Sequence, residues 1–267
     1  MRFFHTLWTK PATIYNRCGA SNILTKSIWY YALSYLYVRK TFPNAKIVLH
    51  TDNLGADLLS DIGYDSVYTE LENFYSSPYM WASGKIASLN YERCGAIHID
   101  CDVFLLDKSL EDRFNTGADL ICQSKESCLF RKELNLVRLF DNRWFDEECY
   151  NCGFLIINNE ELKEKFVSEY FDSVERLINY EHIDKLMEID NSISFDLIYE
   201  QSILKSLSKG YKVDTLFEKN DLDYFKENGY IHLMTSSKYS EQTMQTIKEQ
   251  VKLLDINLYS KLIELYE

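Results

Sequence analysis

Four short strand-like segments alternate with helical patterns over the first 99 residues, and this alternation constrains the fold more than any other feature. The expected strands are Phe3–Leu7, Lys46–Thr51, Ser66–Glu70 and Ala96–Ile99. The intervening segments have the apolar spacing and stop signals of helices, and they are Leu24–Thr41, Leu54–Ile62 and Trp81–Arg93. This β-α-β-α-β-α-β order predicts an α/β fold with a parallel sheet and right-handed crossovers.

The second half of the chain is less regular. Its expected strands are Ala118–Gln123, Phe154–Ile157, Tyr211–Leu216 and Tyr230–Leu233. Its expected helical segments are Glu160–Tyr180, Phe195–Ser208 and the C-terminal region Glu241–Tyr266. The sequence contains no repeat and no flexible linker, so we expect one domain over 1–267.

Charge and hydropathy exclude several partners. The formal net charge is −12, which repels a polyanion, so we expect no nucleic-acid partner. The start of the chain is not a signal peptide, because its apolar run is short and His5 interrupts it. The aromatic stretch Ile28–Val38 is shorter than the roughly 20 residues that span a bilayer. We therefore expect no transmembrane segment and leave peripheral membrane contact open.

The cysteines favour a reducing compartment. The chain has seven, an odd number scattered along its length, which is typical of reduced cytoplasmic thiols. Cys149-x-x-Cys152 has the spacing of half a zinc site or of a redox pair, but no second pair follows at zinc-ribbon spacing. Two packed thiols are the simpler interpretation, and we expect a cytoplasmic protein.

Asp100 and Asp102 directly follow the fourth expected strand. Ligands of open α/β sheets bind beyond the carboxyl ends of the strands. Two carboxylates spaced i, i+2 across a turn can point at one hard cation, and Mg²⁺ or Mn²⁺ accepts such ligands while keeping places for phosphate oxygens. The pattern alone also fits a solvated acidic turn.

The segment His98–Leu105, with its Asp-x-Asp pair, resembles the donor-site strand of GT-A-fold nucleotide-diphospho-sugar glycosyltransferases, in particular those of family 8. Asn151-Cys152-Gly153 resembles that family's Asn-Ala-Gly turn, and Glu200-Gln201 resembles its Asp-Gln pair. His232 to Lys238 resembles its His-x5-Lys segment. The resemblance implies a GT-A (Rossmann-like) fold: a mixed, mainly parallel sheet flanked by helices, with a helical C-terminal region.

The resemblance also implies how a metal and a donor would be bound. Asp100, Asp102 and His232 would bind Mn²⁺ or Mg²⁺, with His232 as a neutral imidazole, and Asp100 would also belong to the donor site. Lys238 would meet the diphosphate of a nucleotide-sugar donor, a UDP-sugar by the family comparison, and would help the metal to stabilise the leaving group.

Three further residues belong to the donor side. Lys85 lies near the start of the helix before strand four, where the family has a basic residue against the diphosphate or the sugar and where a helix N-terminus favours anions. A surface lysine is the alternative. Leu7 and Thr9 lie at the edge of strand one, Thr6–Lys10, where the base normally rests in this fold, and we expect them to offer it backbone groups.

The residues expected to act on the sugar are Glu200, Gln201 and Asn151. Glu200 would stabilise an oxocarbenium-like carbon or act as a nucleophile, and Gln201 would orient the ring through its amide. Asn151 would face the sugar. The alternative for Glu200 is a solvated helix face. Cys152 in place of Ala and Glu200 in place of Asp depart from the family pattern, and so does the lack of Gly and Pro around Lys238, which leaves the loop and the stereochemistry open.

Together these features predict a metal-dependent glycosyltransferase that transfers a hexose from a nucleotide diphosphate sugar, with retention, to a glycan or lipid-linked acceptor. The nucleotide-sugar half would cover about 1–106, and the acceptor half with the C-terminal helices about 107–267. A non-catalytic nucleotide- or glycan-binding module on the same fold is the alternative. A haloacid-dehalogenase-type phosphatase fits poorly, because its Asp pair follows the first strand. The sequence leaves the donor sugar, the acceptor and the oligomeric state open.

Overall fold

The computed structural model describes residues 1–11, 20–76, 80–127, 143–144, 148–179, 195–234, 238 and 240–267. The strands are β1 (Arg2–Leu7), β2 (Lys46–Thr51), β3 (Ser66–Tyr68), β4 (Ile97–Ile99), β5 (Val103–Leu105), β6 (Leu120–Ser127), β7 (Glu148–Ile157), β8 (Val213–Thr215) and β9 (Tyr230–His232). The helices are α1 (Ala20–Thr41), α2 (Asn53–Leu58), α3 (Ser83–Tyr91), α4 (Glu160–Ile178), α5 (Phe195–Leu207), α6 (Leu222–Glu227), α7 (Glu241–Leu254) and α8 (Ile256–Tyr266). Short 3₁₀ turns cover Glu70–Glu72 and Lys108–Arg113.

Seven strands form one sheet in the order β3-β2-β1-β4-β7-β6-β8. The strands β1 to β4 are mutually parallel, as their β-α-β order predicts. Strand β7 runs antiparallel between β4 and β6, while β8 pairs parallel with β6. This architecture confirms the predicted mixed, mainly parallel sheet flanked by helices, and the sheet includes strands from both halves of the chain.

Alternating side chains of the central strands enter two hydrophobic clusters, one on each face of the sheet. Phe3 and Ile47 pack on the face that is covered by α1, α7 and α8. The next residues along the strands, Phe4 and Val48, pack with α3, α4 and α5 on the opposite face. Successive side chains of a strand point to opposite faces, so strands buried on both sides are apolar almost throughout.

A second, two-stranded antiparallel sheet joins β5 to β9. Strand β5 begins one short turn after β4, and Val103 pairs with His232. The sequence predicted a strand near Tyr230 but not β5. The pairing matters because it brings β9, from the second half of the chain, to the carboxyl end of β4.

Several boundaries differ from the sequence predictions. The helix expected over Trp81–Arg93 is shorter, and that expected over Glu160–Tyr180 ends at Ile178, with Tyr180 outside the described residues. Helix α6 was not predicted. Asp255 divides the C-terminal helical region into α7 and α8, because its side chain caps α8 through the backbone N–H groups of Asn257 and Leu258.

The expectation of a turn at Asn151-Cys152-Gly153 is wrong. These residues lie inside β7, which starts six residues before the predicted strand. The β6–β7 register shifts between Cys122 and Ser124, so β7 carries extra residues opposite Gln123. A bulge of this kind bends a strand and redirects its side chains while the strand continues.

Among the described residues, no helix is both long and apolar enough to cross a membrane.

Candidate functional site

The turn that joins β4 to β5 carries both aspartates. The backbone N–H of Val103 donates to the carbonyl of Asp100 at 3.0 Å, which closes the turn, and the N–H of Asp100 donates to Gly153 of β7 at 2.8 Å. Both ends of the turn are therefore fixed to sheet strands. The Asp102 side chain is buried, whereas that of Asp100 is partly exposed.

His232 reaches the aspartates through the β5–β9 pairing. The N–H of Leu233 donates to the carbonyl of Asp102 at 3.1 Å, and Nε2 of His232 lies 3.5 Å from Oδ1 of Asp102. One ligand atom from each of Asp100, Asp102 and His232 lies within 4.8 Å of the others. Residues that are 130 positions apart in the chain thus form one cluster.

The donor set and spacing of this cluster fit a divalent ion. Around an octahedral Mg²⁺ at about 2.1 Å, adjacent ligands are about 3 Å apart and opposite ones about 4 Å apart, so small side-chain shifts would complete the site. Two carboxylate oxygens suit Mg²⁺ or Mn²⁺, and an imidazole nitrogen favours the transition metal of the two. The cluster also leaves ligand positions for other oxygen donors.

Lys238 also contacts this cluster. Its Nζ lies 2.6 Å from Oδ2 of Asp102, and its backbone carbonyl accepts a hydrogen bond from the hydroxyl of Tyr30 on α1. Burial alone would raise the pKa of Asp102, but the Lys238 ammonium beside it stabilises the ionised form, and that pKa lies well below its ordinary range. Asp102 is therefore ionised, as a metal ligand must be. The intervening residues 235–237 and Tyr239 lie outside the described part of the chain.

Lys85 lies in the first turn of α3 and joins the two sides of the site. Its Nζ is 3.0 Å from Oδ1 of Asp100 and 2.7 Å from Oε1 of Glu200, and it donates to the carbonyl of Cys152 at 3.3 Å. Its side chain is 6% exposed, so the surface-lysine alternative is wrong. The three charged side chains come from α3, the β4–β5 turn and α5.

Glu200 lies in α5 with its side chain 1% exposed, so the solvated-face alternative is wrong as well. Burial raises the pKa of Glu200 to about 6, and nearby Asp100 adds to the rise, while Lys85 opposes it. Burial would lower the pKa of Lys85, but the two carboxylates raise it above its ordinary value. The result is a carboxylate held by a lysine that keeps its charge.

Gln201 and Asn151 are both buried. Oε1 of Gln201 accepts from the thiol of Cys149 at 3.3 Å. The amide nitrogen of Asn151 donates to Glu126 at 2.7 Å, and its oxygen accepts from the N–H of Gly153 at 2.9 Å. The amide of Asn151 is thus fixed by its own strand and by β6.

The two cysteines of β7 are buried thiols that form no disulfide, which confirms the prediction of packed thiols. Cys152 lies close to Glu200, and the thiol of Cys149 contacts the neighbouring Gln201.

Leu7 and Thr9 lie at the carboxyl end of β1, but some of their backbone groups are already occupied. The carbonyl of Leu7 accepts from the hydroxyl of Thr51 at 2.6 Å. The N–H of Thr9 donates to Asp52 at 2.8 Å, and the Thr9 hydroxyl contacts the same carboxylate. That N–H is not available to a base in this conformation, and a contact through the other backbone groups stays a prediction.

Sequence reasoning missed Gln123 and the steric role of Gly153. Oε1 of Gln123, on β6, is 2.7 Å from Nδ1 of His232. A Cβ at Gly153 would lie 2.4 Å from Cε1 of His232, so only glycine leaves room for the ring. Gly153 belonged to a recognised motif, which was a usable signal. Gln123 carried none, because its importance arises from the β6–β7 bulge.

The class of fold is that of GT-A glycosyltransferases. The structure resembles the glycosyltransferase GlyE from Streptococcus pneumoniae TIGR4 with a TM-score of 0.52 and 14% identity, over 98% of this chain and 63% of GlyE. The chain thus spans less than two thirds of GlyE. It also resembles the galactosyltransferase LgtC, solved in complex with donor and acceptor sugar analogues, with a TM-score of 0.51 and 11% identity over 95% of this chain and 96% of LgtC. At these identities the likeness establishes the fold alone.

Residues 1–265 match the sequence profile of DUF6734, described as a family of unknown function, and the chain belongs to that family. None of the curated proteins matches its sequence.

Proposed function

We propose that this protein is a metal-dependent glycosyltransferase that transfers a hexose from a nucleotide diphosphate sugar, a UDP-sugar by the family-8 comparison, to a glycan or lipid-linked acceptor. The observation that carries the proposal is the convergence of Asp100, Asp102 and His232 on one point, at the carboxyl end of β4 in a GT-A fold. Ligands of open α/β sheets bind at this edge.

Asp100, Asp102 and His232 would hold Mn²⁺ or Mg²⁺. When bound, the ion would supply a Lewis acid that stabilises the charge of the departing diphosphate. Lys238 would add a second positive charge beside those phosphate oxygens, since its ammonium already lies 2.6 Å from Asp102. Asp102 now pairs with the Lys238 ammonium and would pair with the metal ion instead.

Lys85, Glu200, Gln201 and Asn151 would act on the sugar. Lys85 contacts both Asp100 and Glu200, so it would hold the reacting carboxylate in place relative to the metal ligands. Glu200 would stabilise a developing oxocarbenium-like carbon or act as the nucleophile. Gln201 and Asn151 would orient the sugar ring through amide hydrogen bonds. We also propose that transfer proceeds with retention and that the protein is a single cytoplasmic domain.

A donor screen by nucleotide release tests the proposal. Purified protein would be incubated with Mn²⁺ and a set of nucleotide sugars, and free UDP would be measured. We expect Mn²⁺-dependent release for at least one UDP-sugar, and loss of both turnover and Mn²⁺-dependent UDP binding in Asp102→Asn. Asp57→Asn, which changes an exposed aspartate of α2, is the matched control and should retain both.

Two results would contradict parts of the proposal. Tight binding of UDP with Mn²⁺ but no release from any donor, with acceptors present, would favour the non-catalytic binding module. No metal-dependent nucleotide binding at all would remove the metal site from the account. For an active enzyme, NMR of the anomeric proton in the product would test retention, and an inverted linkage would overturn it.

A further inference from the structure

Gln123 makes two short hydrogen bonds behind the metal cluster. The residue is fully buried on β6. Its Oε1 lies 2.7 Å from Nδ1 of His232 and 2.6 Å from the hydroxyl of Tyr230. Both partners belong to β9, the strand that delivers His232 to the aspartates. Gln123 therefore determines how the imidazole ring enters the site.

The neighbours of Gln123 fix which end of its amide faces the histidine. Its Nε2 points towards the sulfur of Met234, which is 3.9 Å away and only accepts hydrogen bonds. Its oxygen faces Tyr230 and His232, and both of these groups can donate. Reversing the amide would place its oxygen against that sulfur, where neither atom can donate, so the arrangement with the oxygen on β9 satisfies more groups.

This contact selects one tautomer of His232. An amide oxygen only accepts, so Nδ1 must carry the proton, and a neutral imidazole carries only one N–H. The lone pair of the ring then belongs to Nε2, which is the atom that lies 3.5 Å from Asp102. Gly153 lies against the ring and leaves it room.

We propose that Gln123 is a positioning residue that holds His232 in its Nδ1–H tautomer and thereby makes Nε2 the metal ligand. The inference rests on the proposed metal site. Groups that accept from the second nitrogen of a ligating histidine orient the ring and raise metal affinity, and their loss typically costs about 10- to 100-fold in affinity.

The tautomer can be measured in the wild-type protein without metal. ¹⁵N NMR of histidine-labelled protein distinguishes a protonated from an unprotonated ring nitrogen, and the signals of His232 are those that disappear in His232→Ala. We expect a protonated Nδ1 and an unprotonated Nε2. A dominant Nε2–H tautomer would overturn the proposal, and this test does not depend on whether any Gln123 variant folds.

Titration with Mn²⁺ alone, followed by electron paramagnetic resonance, tests the consequence. We expect Gln123→Leu to weaken Mn²⁺ binding by about 10- to 100-fold. Gln123→Glu, which keeps an acceptor oxygen, should bind at least as tightly as the wild type. Gln245→Leu makes the same chemical change on the exposed side of α7 and should leave affinity unchanged.

His232→Ala separates failure of this inference from failure of the proposed function. If His232→Ala weakens Mn²⁺ binding but Gln123→Leu matches the wild type, the positioning role is wrong and the metal site stands. If His232→Ala leaves Mn²⁺ binding unchanged, the metal site is wrong, and with it both the inference and the proposed function.

Discussion

Lys238 and Lys85 each pair with one aspartate of the β4–β5 turn, but their surroundings differ. Lys238, with Asp102 and His232, forms what we call the metal end, and its side chain is 25% exposed. Lys85, with Glu200 and Gln201, forms what we call the reacting end, after the role proposed for these residues, and the Lys85 side chain is 6% exposed. Water reaches the first lysine and hardly reaches the second.

The difference indicates which end can rearrange. Removing the Lys238 ammonium from Asp102 exchanges one partner for water or a metal, which costs little where solvent is present. Moving Lys85 away would leave the carboxylates of Asp100 and Glu200 without their shared cationic partner. This is expensive because Glu200 is buried. The metal end is therefore suited to bind and release a ligand, and the reacting end to stay fixed.

Substituting each lysine separately should give the largest difference in stability between the two ends. We expect Lys85→Met to lower the free energy of unfolding by about 3–5 kcal/mol, because Asp100 and Glu200 lose their shared buried partner. Lys238→Met should cost about 1 kcal/mol or less, since the lysine is partly exposed and water can take its place beside Asp102. Urea denaturation measures the free energy of unfolding of each variant, and equal m-values make the two values comparable. Equal losses in the two variants would contradict the contrast.

The pH dependence of stability sharpens the description of the reacting end. The pKa of Glu200 is raised to about 6 from an ordinary value of 4.5, so the folded state holds this proton more tightly than the unfolded state. The contribution of Glu200 to stability should therefore fall as pH rises from about 4.5 to 6, by about 2 kcal/mol, and stay constant above that window.

Comparison with Glu200→Gln isolates this contribution, because the variant lacks the titrating group while the lowered pKa values of Asp102 and Glu92 act in both proteins. Unfolding free energies at several pH values give the difference between the two. We expect the wild-type value minus the variant value to fall across the window. A rise would show that the pKa of Glu200 is lowered.

Gly153→Ala should damage the metal end selectively. The added Cβ would lie 2.4 Å from Cε1 of His232 and 2.9 Å from its Nδ1, so the ring must leave its position against Gln123. We expect Mn²⁺ binding to weaken about 10-fold. In a His232→Ala background the same change should have little further effect. Additive losses would place the action of Gly153 elsewhere.

The smallest expected effect is a gain in affinity for Mn²⁺. Lys238→Met removes a positive charge that lies 2.6 Å from Asp102, so Mn²⁺ alone should bind a few-fold more tightly at low salt. With UDP present the gain should disappear, because the lysine no longer meets the diphosphate. Calorimetric titrations with and without UDP measure the two cases. Weaker binding of Mn²⁺ alone would show that Lys238 helps to form the metal site.

The sequence predicted the parts of this structure that depend on local patterns. Strand β2 matched its predicted bounds, because it is apolar and clearly delimited. The bulge at Asn151–Gly153 and the β5–β9 pairing depend on contacts between distant segments, which periodicity does not record. The convergence of Asp102 with His232 was predicted from a family resemblance, whereas Gln123 could not be predicted, since nothing in its local sequence distinguishes it.

Anomalous diffraction from a crystal grown with Mn²⁺ and UDP tests the central claim most directly. The account predicts a manganese peak about 2.0–2.2 Å from oxygens of Asp100 and Asp102 and from Nε2 of His232, with diphosphate oxygens completing the shell. A manganese peak elsewhere, with these three side chains unchanged and UDP bound without metal, would contradict it.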